Sequence, residues 1–217
     1  MKKQILTLLC LISIASPSFA LEAGDRSVSG TFGYYGAGGN FFDTGYGFDF
    51  AYSFWRSHEK ALAITTGIQS WEVKKQSGVD LSGNTAFGAT QDGAATLFPI
   101  GLSMIWRNAK EGSERIDLGF QLGVQYIFAT SDADQQTVIQ RVGGAPVRGK
   151  RGIDFGSNLI GKVAIEVDYL LSEQADFIVD FGYQMDFLKG DIDAGSGKID
   201  DLELKGFFVR TGLGYRF

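Results

Sequence analysis

The chain holds few residues that could act together as a base and a nucleophile. Its only histidine, His58, stands in the short polar stretch from Arg56 to Lys60, where a solvated turn is expected. Hydrolysis of lipids or peptides needs an activated nucleophile or water beside a base, commonly histidine. A lone histidine in a turn does not provide this arrangement. The sequence therefore predicts a protein that is not an enzyme and carries no cofactor.

An acidic stretch resembles the start of a calcium-binding loop. Asp191 and Asp193 have the right spacing, but the fifth position is Gly195 and the twelfth is Leu202. Neither residue offers a side-chain oxygen, whereas a calcium loop needs one at both positions. We therefore expect a solvated acidic loop and no metal site.

The strongest pattern in the rest of the chain is an alternation of apolar residues with small or polar ones, which has the period of two of a β-strand. Between Tyr46 and Phe54, for example, aromatic residues alternate with glycine, aspartate, alanine and serine. A tilted strand needs about 9–11 residues to cross the hydrocarbon of a membrane, and most of the alternating segments are that long. Eight such segments are predicted: 27–35, 46–54, 62–69, 97–106, 116–128, 154–169, 177–187 and 206–217.

The connections between these segments alternate in length. Eight antiparallel strands joined in this way predict an all-β, up-and-down barrel with both chain ends on the side of the short turns. In a bacterial outer membrane that side is the periplasm, and the long links face outward. The short links are 56–60, 107–115 and 170–175, and the long ones are 36–44, 72–93, 129–152 and 188–203.

The two faces of the segments decide between a soluble and a membrane barrel. In a soluble barrel the apolar face lines a cavity and the polar face meets water. Here the polar face is mostly glycine, alanine, serine and glutamine, with too few charges for a water-facing surface. The other face carries more aromatic bulk than a lumen of eight strands can hold. The sequence therefore predicts an apolar face toward lipid and a narrow, polar lumen.

The first twenty residues have the form of a secretory signal peptide. Lys2 and Lys3 precede an apolar run over 5–15, and Ser18 and Ala20 give the small-x-small cleavage pattern. We therefore divide the chain into a signal peptide, 1–20, and a single domain, 21–217. Without the two lysines the net charge changes from −5 to −7, which argues against nucleic acid as a partner.

The end of the chain is also informative. Leu213, Tyr215 and Phe217 alternate with smaller or polar residues, and the terminal Phe217 resembles the signal read by the barrel assembly machinery. Together with the signal peptide and the eight segments, this ending resembles the small eight-stranded outer-membrane proteins of Gram-negative bacteria: the OmpA transmembrane domain, OmpX and OmpW types. The resemblance implies a multi-pass β-barrel in the cell outer membrane, assembled by that machinery and surrounded by lipids and lipopolysaccharide. It does not resolve the subfamily.

Inward-facing charges predict an ionic network in the lumen. Arg210 and Lys162 are each seven residues from the periplasmic end of their segments, near the level of Asp180 and Glu166. Charges in so narrow a space must pair or stay hydrated. We expect these four residues to form the centre of a network that obstructs the lumen. Further inward charges, nearer the periplasmic side, are Arg216, Asp117 and Asp168.

The long links differ in charge. Link 129–152 has a net charge of +2 and link 188–203 a net charge of −3. Basic residues above the outer leaflet are suited to lipopolysaccharide phosphates. We therefore expect a porin-like but obstructed barrel that serves envelope integrity or surface interaction through its loops. A narrow channel for small ions or hydrophobic solutes is the alternative, and a host or surface ligand is left open.

Overall fold

The computed structural model describes residues 23–36, 39, 41–74, 77–82, 85–108, 115–141, 144–193 and 198–217. The predicted signal peptide, 1–20, lies outside the described residues. In the described part of the chain the strands are β1 (Arg26–Gly36), β2 (Phe42–Ser57), β3 (Lys60–Val73), β4 (Ser77–Ser82), β5 (Thr85–Asp92), β6 (Ala94–Arg107), β7 (Ile116–Ser131), β8 (Asp134–Arg141), β9 (Val147–Gly152), β10 (Asp154–Phe155), β11 (Asn158–Leu170), β12 (Ala175–Leu188), β13 (Asp191–Asp193), β14 (Lys198–Asp201) and β15 (Gly206–Arg216).

The eight long strands form a closed antiparallel barrel in the order β1-β15-β12-β11-β7-β6-β3-β2. The first and last strands close the ring, with Val28 opposite Tyr215 and Phe32 opposite Thr211. Closure leaves no unpaired backbone edge in the barrel wall, which a wall immersed in lipid requires. The predicted fold class and strand number are confirmed. We call the end with short turns and both chain termini the turn end, and the opposite end the loop end.

Exposure along the strands confirms which face points outward. On β2, Phe48 is 50% exposed, whereas its neighbour Asp49 is buried. On β7, Leu118 is 55% exposed and Gln121 is buried. Large apolar side chains therefore cover the outside of the barrel, while polar side chains such as Asp49 and Gln121 face the lumen. This is the arrangement that a membrane barrel adopts and the reverse of a soluble one.

Two of the long links do not form the simple solvated loops that the sequence predicted. The strands β4 and β5 from link 72–93 and β8 and β9 from link 129–152 form one sheet in the order β4-β5-β8-β9. We call it the extension sheet. The central pairing joins the two links, with Phe87 opposite Ile139 and Gly88 opposite Val138. This pairing of β5 with β8 could not be predicted from the sequence, because the paired residues lie about fifty positions apart and the links are rich in turn-forming residues.

Gly93 makes the join between the extension sheet and the barrel. Its φ of 121° lies in the left-handed region, which side chains other than glycine rarely adopt. A Cβ atom at this position would lie 2.6 Å from the Cα of Ala133 and 2.8 Å from the carbonyl oxygen of Asp132. Glycine therefore allows β5 and β6 to meet while the other link passes close beside them.

The last long link, 188–203, also contains strands. Its strands β13 and β14 pair with each other, and β13 pairs with β10, in a three-stranded sheet at the loop end. In the described part of the chain, no helix combines the length and the apolar character needed to cross a membrane.

Candidate functional site

The lumen is the place where the fold concentrates buried polar groups. Because alternate residues of each strand point inward, one set of positions from all eight strands meets near the barrel axis. These side chains form an apolar layer near the loop end, a central ionic layer, and a lower ionic layer nearer the turn end. Each layer is defined below by its residues.

The central ionic layer consists of Asp49, Lys162, Asp180 and Arg210. Arg210 on β15 places Nη1 3.1 Å from Asp49 Oδ2 and Nη2 2.7 Å from Asp180 Oδ2. The side chains of the three residues are at most 6% exposed. Buried charges are tolerated only when they are paired and hydrogen-bonded, and one guanidinium here serves two carboxylates.

Neutral groups complete the surroundings of the central ionic layer. Arg210 donates a 2.9 Å hydrogen bond to Gln121 Oε1. The Tyr35 hydroxyl donates to Asp49 Oδ2, and Gln69 Nε2 donates to Asp49 Oδ1 at 3.3 Å. Asp49 therefore accepts bonds from the strands on either side of β2, which fixes its carboxylate at the centre of the layer.

Lys162 occupies the upper edge of this layer. Its Nζ lies 3.9 Å from Asp49 Oδ2 and 5.4 Å from the ring centroids of both Tyr35 and Phe208. The ammonium is thus shared between a carboxylate and two aromatic faces, an arrangement that stabilises a cation. Phe208 and Tyr35 in turn belong to the apolar layer, so Lys162 marks the boundary between the two.

The lower ionic layer consists of Arg107, Glu166 and Asp168. Arg107 Nη2 lies 2.8 Å from Glu166 Oε1 and 2.8 Å from Asp168 Oδ2. The guanidinium carbon stands 4.6 Å from the centroid of the Trp55 ring. All three charged residues are buried, and they close the lumen between the central layer and the turn end.

A small cavity is lined by residues of both ionic layers. Asp49, Asp180 and Arg210 of the central layer contribute to its wall with Glu166 of the lower layer, together with Thr31 and Thr65. Its volume of about 30 Å³ has room for about two water molecules. Asp180 Oδ1 and Arg210 Nε have no protein partner, as expected of groups that bind ordered water.

The apolar layer fills the lumen at the loop end. Its members come from the barrel strands and from the loops that fold over them, and each is at most 3% exposed. Ile192 on β13 is buried there, with Leu202 and Leu204 after β14. The layer consists of Tyr35, Phe41, Phe42, Trp71, Ala95, Leu97, Ile127, Ala133, Ile153, Ile160, Ala164, Ile192, Leu202, Leu204 and Phe208, with Val73 at its margin.

Three polar side chains of the barrel hold the loop segment 189–205 over the lumen. Asn158 Nδ2 donates to the Leu202 carbonyl at 2.8 Å, and its Oδ1 accepts from the Gly190 N–H. Asp186 accepts from the N–H groups of Leu204 and Lys205 at 3.1 and 3.2 Å. Gln184 donates to the Leu204 carbonyl. The backbone of this segment is therefore bonded to the barrel as well as packed on it.

The predicted network residues fall into different layers. Arg210, Asp180 and Lys162 share the central layer, as expected, but Glu166 lies one layer lower and pairs with Arg107. Asp168 belongs to that lower layer. The remaining two are at the rim: Arg216 Nη2 lies 2.8 Å from Asp176 Oδ2, and the half-buried Asp117 stands opposite Asp168 in the strand register.

Sequence reasoning missed Arg107 and the inward aromatic residues. Arg107 was assigned to the turn 107–115, whereas β6 continues to Arg107 and keeps it on the inward face with Ile105. Tyr35, Trp71 and Phe208 also occupy inward positions of their strands. The parity of the strands was the available signal. Strand parity places these residues on the inward face, but the many aromatic residues on the outward face drew attention away from them.

Other predicted residues lie where the sequence placed them. His58 is in an exposed turn, with Nε2 3.7 Å from Glu59 Oε1. Phe217 exchanges backbone hydrogen bonds with Arg26, Leu213 faces outward, and the Tyr215 ring lies 6.5 Å from that of Phe217. The role of these three residues in assembly stays a prediction.

The acidic loop shows no clustered ligands for a metal. Asp191 and Asp201 each pair with Lys198, at 2.7 and 2.6 Å. Residues 194–197 lie outside the described residues. Within the described ranges no group of three or more metal-binding side chains is found.

Comparison with solved structures places this barrel among known ones. OprG, an outer membrane protein from Pseudomonas aeruginosa, is similar over 92% of this chain and 98% of its own, with 14% identity and a TM-score of 0.58. Neisserial surface protein A is similar over 94% of this chain and 100% of its own, with 11% identity and a TM-score of 0.49. At these identities the comparison with OprG shows a shared fold.

This chain is an outer-membrane β-barrel. Its closed eight-stranded wall, outward apolar face and similarity to OprG agree on this point. The turn end is then periplasmic and the loop end extracellular. No protein-family model and no curated protein matches the chain.

Proposed function

We propose that this outer-membrane barrel is a sealed, non-enzymatic protein that serves envelope integrity or surface interaction through its extracellular loops. The observation that carries the proposal is the packing of the lumen. Three layers of buried side chains fill it in series, and at the centre Arg210 on β15 binds groups on β2, β12 and, across the barrel, β7.

The layers oppose different solutes. An ion entering from the periplasm meets fixed charges that are already paired, and the cavity beyond them holds about two waters. An ion that passed would then face the apolar layer, where it would have to lose its hydration. For a small apolar solute that enters from outside, the apolar layer comes first and the ionic layers are the barrier behind it. The ionic layers and the apolar layer, in series, therefore make a seal that neither ions nor small apolar solutes cross.

We assign the proposed function to the extracellular loops because they present exposed charged side chains. The lumen offers ion pairs but no histidine, and the one histidine lies in the exposed periplasmic turn. Arg148 and Lys150 are exposed on the extracellular side. Lipopolysaccharide, which surrounds the barrel wall in the outer leaflet, is the proposed lipid partner of the protein.

Planar-bilayer conductance of the refolded mature protein tests the seal. We expect the wild type to be silent, and Arg210→Ala or Asp180→Ala to leak weakly because the apolar layer remains. Ile192→Ser with Leu204→Ser loosens that layer, and adding Arg210→Ala should produce clear openings. Arg56→Ala, in the periplasmic turn, is the matched control. Discrete, cation-selective openings in the wild type would overturn the proposal in favour of a narrow channel.

A further inference from the structure

The extension sheet ends in an exposed edge at β9. In the sheet order β4-β5-β8-β9, the described part of β9 pairs with β8 alone, from Ile139 opposite Val147 to Asp134 opposite Gly152. All six residues of β9 are exposed. Every second residue of an edge strand turns its N–H and C=O groups away from its only neighbour. This edge therefore presents a row of backbone donors and acceptors to the medium.

The same strand carries an unusual charge. Three of its six residues are cations, Arg148, Lys150 and Arg151, and none is an acid. Lys150 is 2.6 Å from Asp134, in a pair exposed enough to be weak. Within the described ranges neither arginine forms an ion pair. Charges on an edge strand oppose unwanted strand pairing, and these cations repel a basic strand and attract an acidic one.

The side chains of β9 divide between two faces. Arg148 and Lys150 are opposite Val138 and Gln136, which are exposed on the outer face of the sheet. Val147 and Arg151 are opposite Ile139 and Gln135, which are half-buried on the inner face. A strand laid against β9 would therefore meet two cations on one face, and an apolar residue and a cation on the other.

The edge also stands clear of the membrane. Val138, opposite Arg148, is ten residues beyond the lipid-facing Phe128 in the chain. At about 3.3 Å per residue this is on the order of 30 Å along the strands, more than the headgroup region spans. The acyl chains and headgroups of the outer leaflet are therefore below it, and a soluble partner has free access.

We infer that β9 is a docking edge for an extended acidic polypeptide segment, which adds to the extension sheet as a fifth strand. Backbone hydrogen bonds along the edge supply part of the affinity, and alternating acids opposite Arg148 and Lys150 select the partner. A polyanionic sugar would satisfy the cations but not the backbone edge. The inference rests on the proposed surface-interaction role and names the class of its partner.

Peptide binding to the refolded full-length mature protein tests the inference. The probe is a fluorescent acidic peptide, Thr-Glu-Val-Glu-Val-Glu-Thr, measured by anisotropy. Its partner probe carries N-methyl groups at alternate residues, which remove backbone donors and keep every charge. We expect the first peptide to bind and the N-methylated one to bind at least tenfold more weakly, since strand addition depends on backbone bonds.

Charge variants provide the second arm. Arg148→Glu with Lys150→Glu should weaken binding about tenfold, because two weak attractions become repulsions. Arg56→Glu with Lys60→Glu changes the net charge equally at the periplasmic end and should leave binding unchanged. Equal binding of both peptides, or tighter binding of dextran sulfate with no effect of N-methylation, would overturn strand addition in favour of polyanion binding. Absence of peptide binding would overturn it too, while silent conductance would leave the sealed barrel standing.

Discussion

The two halves of the lumen are filled by opposite kinds of chemistry. Toward the periplasm, Arg107 and Arg210 each bind two carboxylates in layers that have few alternative arrangements. Toward the outside, aromatic and aliphatic residues pack with loop residues such as Ile192 and Leu204. Both halves are filled with buried side chains, but the packing of the first depends on the geometry of a few bonds and that of the second on volume.

This difference predicts how each half fails. An ionic layer loses most of its stability when one partner is removed, because the remaining charge is buried without compensation. An apolar layer loses stability in proportion to the volume deleted and tolerates rearrangement.

Removing the central guanidinium should cost the most. Arg210→Ala leaves Asp180 buried without its cation and Asp49 with only Lys162, which we expect to lower the free energy of unfolding by about 3–5 kcal/mol. Urea titration in lipid vesicles, followed by tryptophan fluorescence, measures this loss. Arg210→Lys keeps the charge and should lose less. A loss below about 1 kcal/mol for Arg210→Ala would mean that the central layer is hydrated rather than buried.

Truncation in the apolar layer comes next. Leu97→Ala should lower the free energy of unfolding by about 2–5 kcal/mol, the range for a buried leucine. Leu102 lies on the same strand but faces lipid, 55% exposed. Leu102→Ala is therefore the matched control, and its loss should be clearly smaller because lipid tails fill the space. Equal losses for the two variants would contradict a packed layer at the loop end.

The join above the apolar layer is sensitive to backbone conformation. Gly93→Ala forces a side chain into a left-handed φ and against Ala133, at a cost of roughly 1–3 kcal/mol. Gly152→Ala adds a Cβ with nothing within 4 Å and should have no such cost. Proteolysis of the extension sheet distinguishes the two variants, and equal cleavage rates would argue against a strained join.

Pairs of substitutions test whether the layers are separate. Arg210→Ala and Asp180→Ala act on one ion pair, so their effects should be non-additive by about 0.5–3 kcal/mol. Arg210→Ala and Leu97→Ala act in different layers and should add within about 0.5 kcal/mol. A double-mutant cycle in the same urea titration gives both numbers. Strong coupling in the second cycle would show that the two halves unfold as one packed unit.

The smallest expected effect is a local response to pH at the loop end. Hydrogen bonds from Lys189 and Lys205 hold the pKa of Glu203 below its ordinary value of 4.5. A lowered carboxyl pKa stabilises the folded loop above 4.5, and this contribution is lost as the pH falls through the lowered pKa. Hydrogen exchange of residues 198–205 should therefore quicken, relative to the barrel, only below pH 4.5. Glu203→Gln should abolish that response; an unchanged response would assign it to another group.

The barrel wall follows directly from the order of the amino acids. Period-two alternation places apolar residues on one face of each long strand, and a chain that must satisfy every backbone bond in lipid can close only as a barrel. The inward position of Arg210, Asp180 and Lys162 followed from the same parity, because register leaves each residue only two directions.

The filling of the lumen and the sheet above the barrel depend on contacts that form only in the folded chain. Parity gives direction but not height, so Glu166 was grouped with Arg210 although it pairs with Arg107. The extension sheet joins two links through β5 and β8, and local composition cannot predict a pairing between segments that are distant in the chain. The apolar layer combines inward residues such as Trp71 with loop residues such as Leu202. Such contacts exist only after the chain has closed and its loops have folded back.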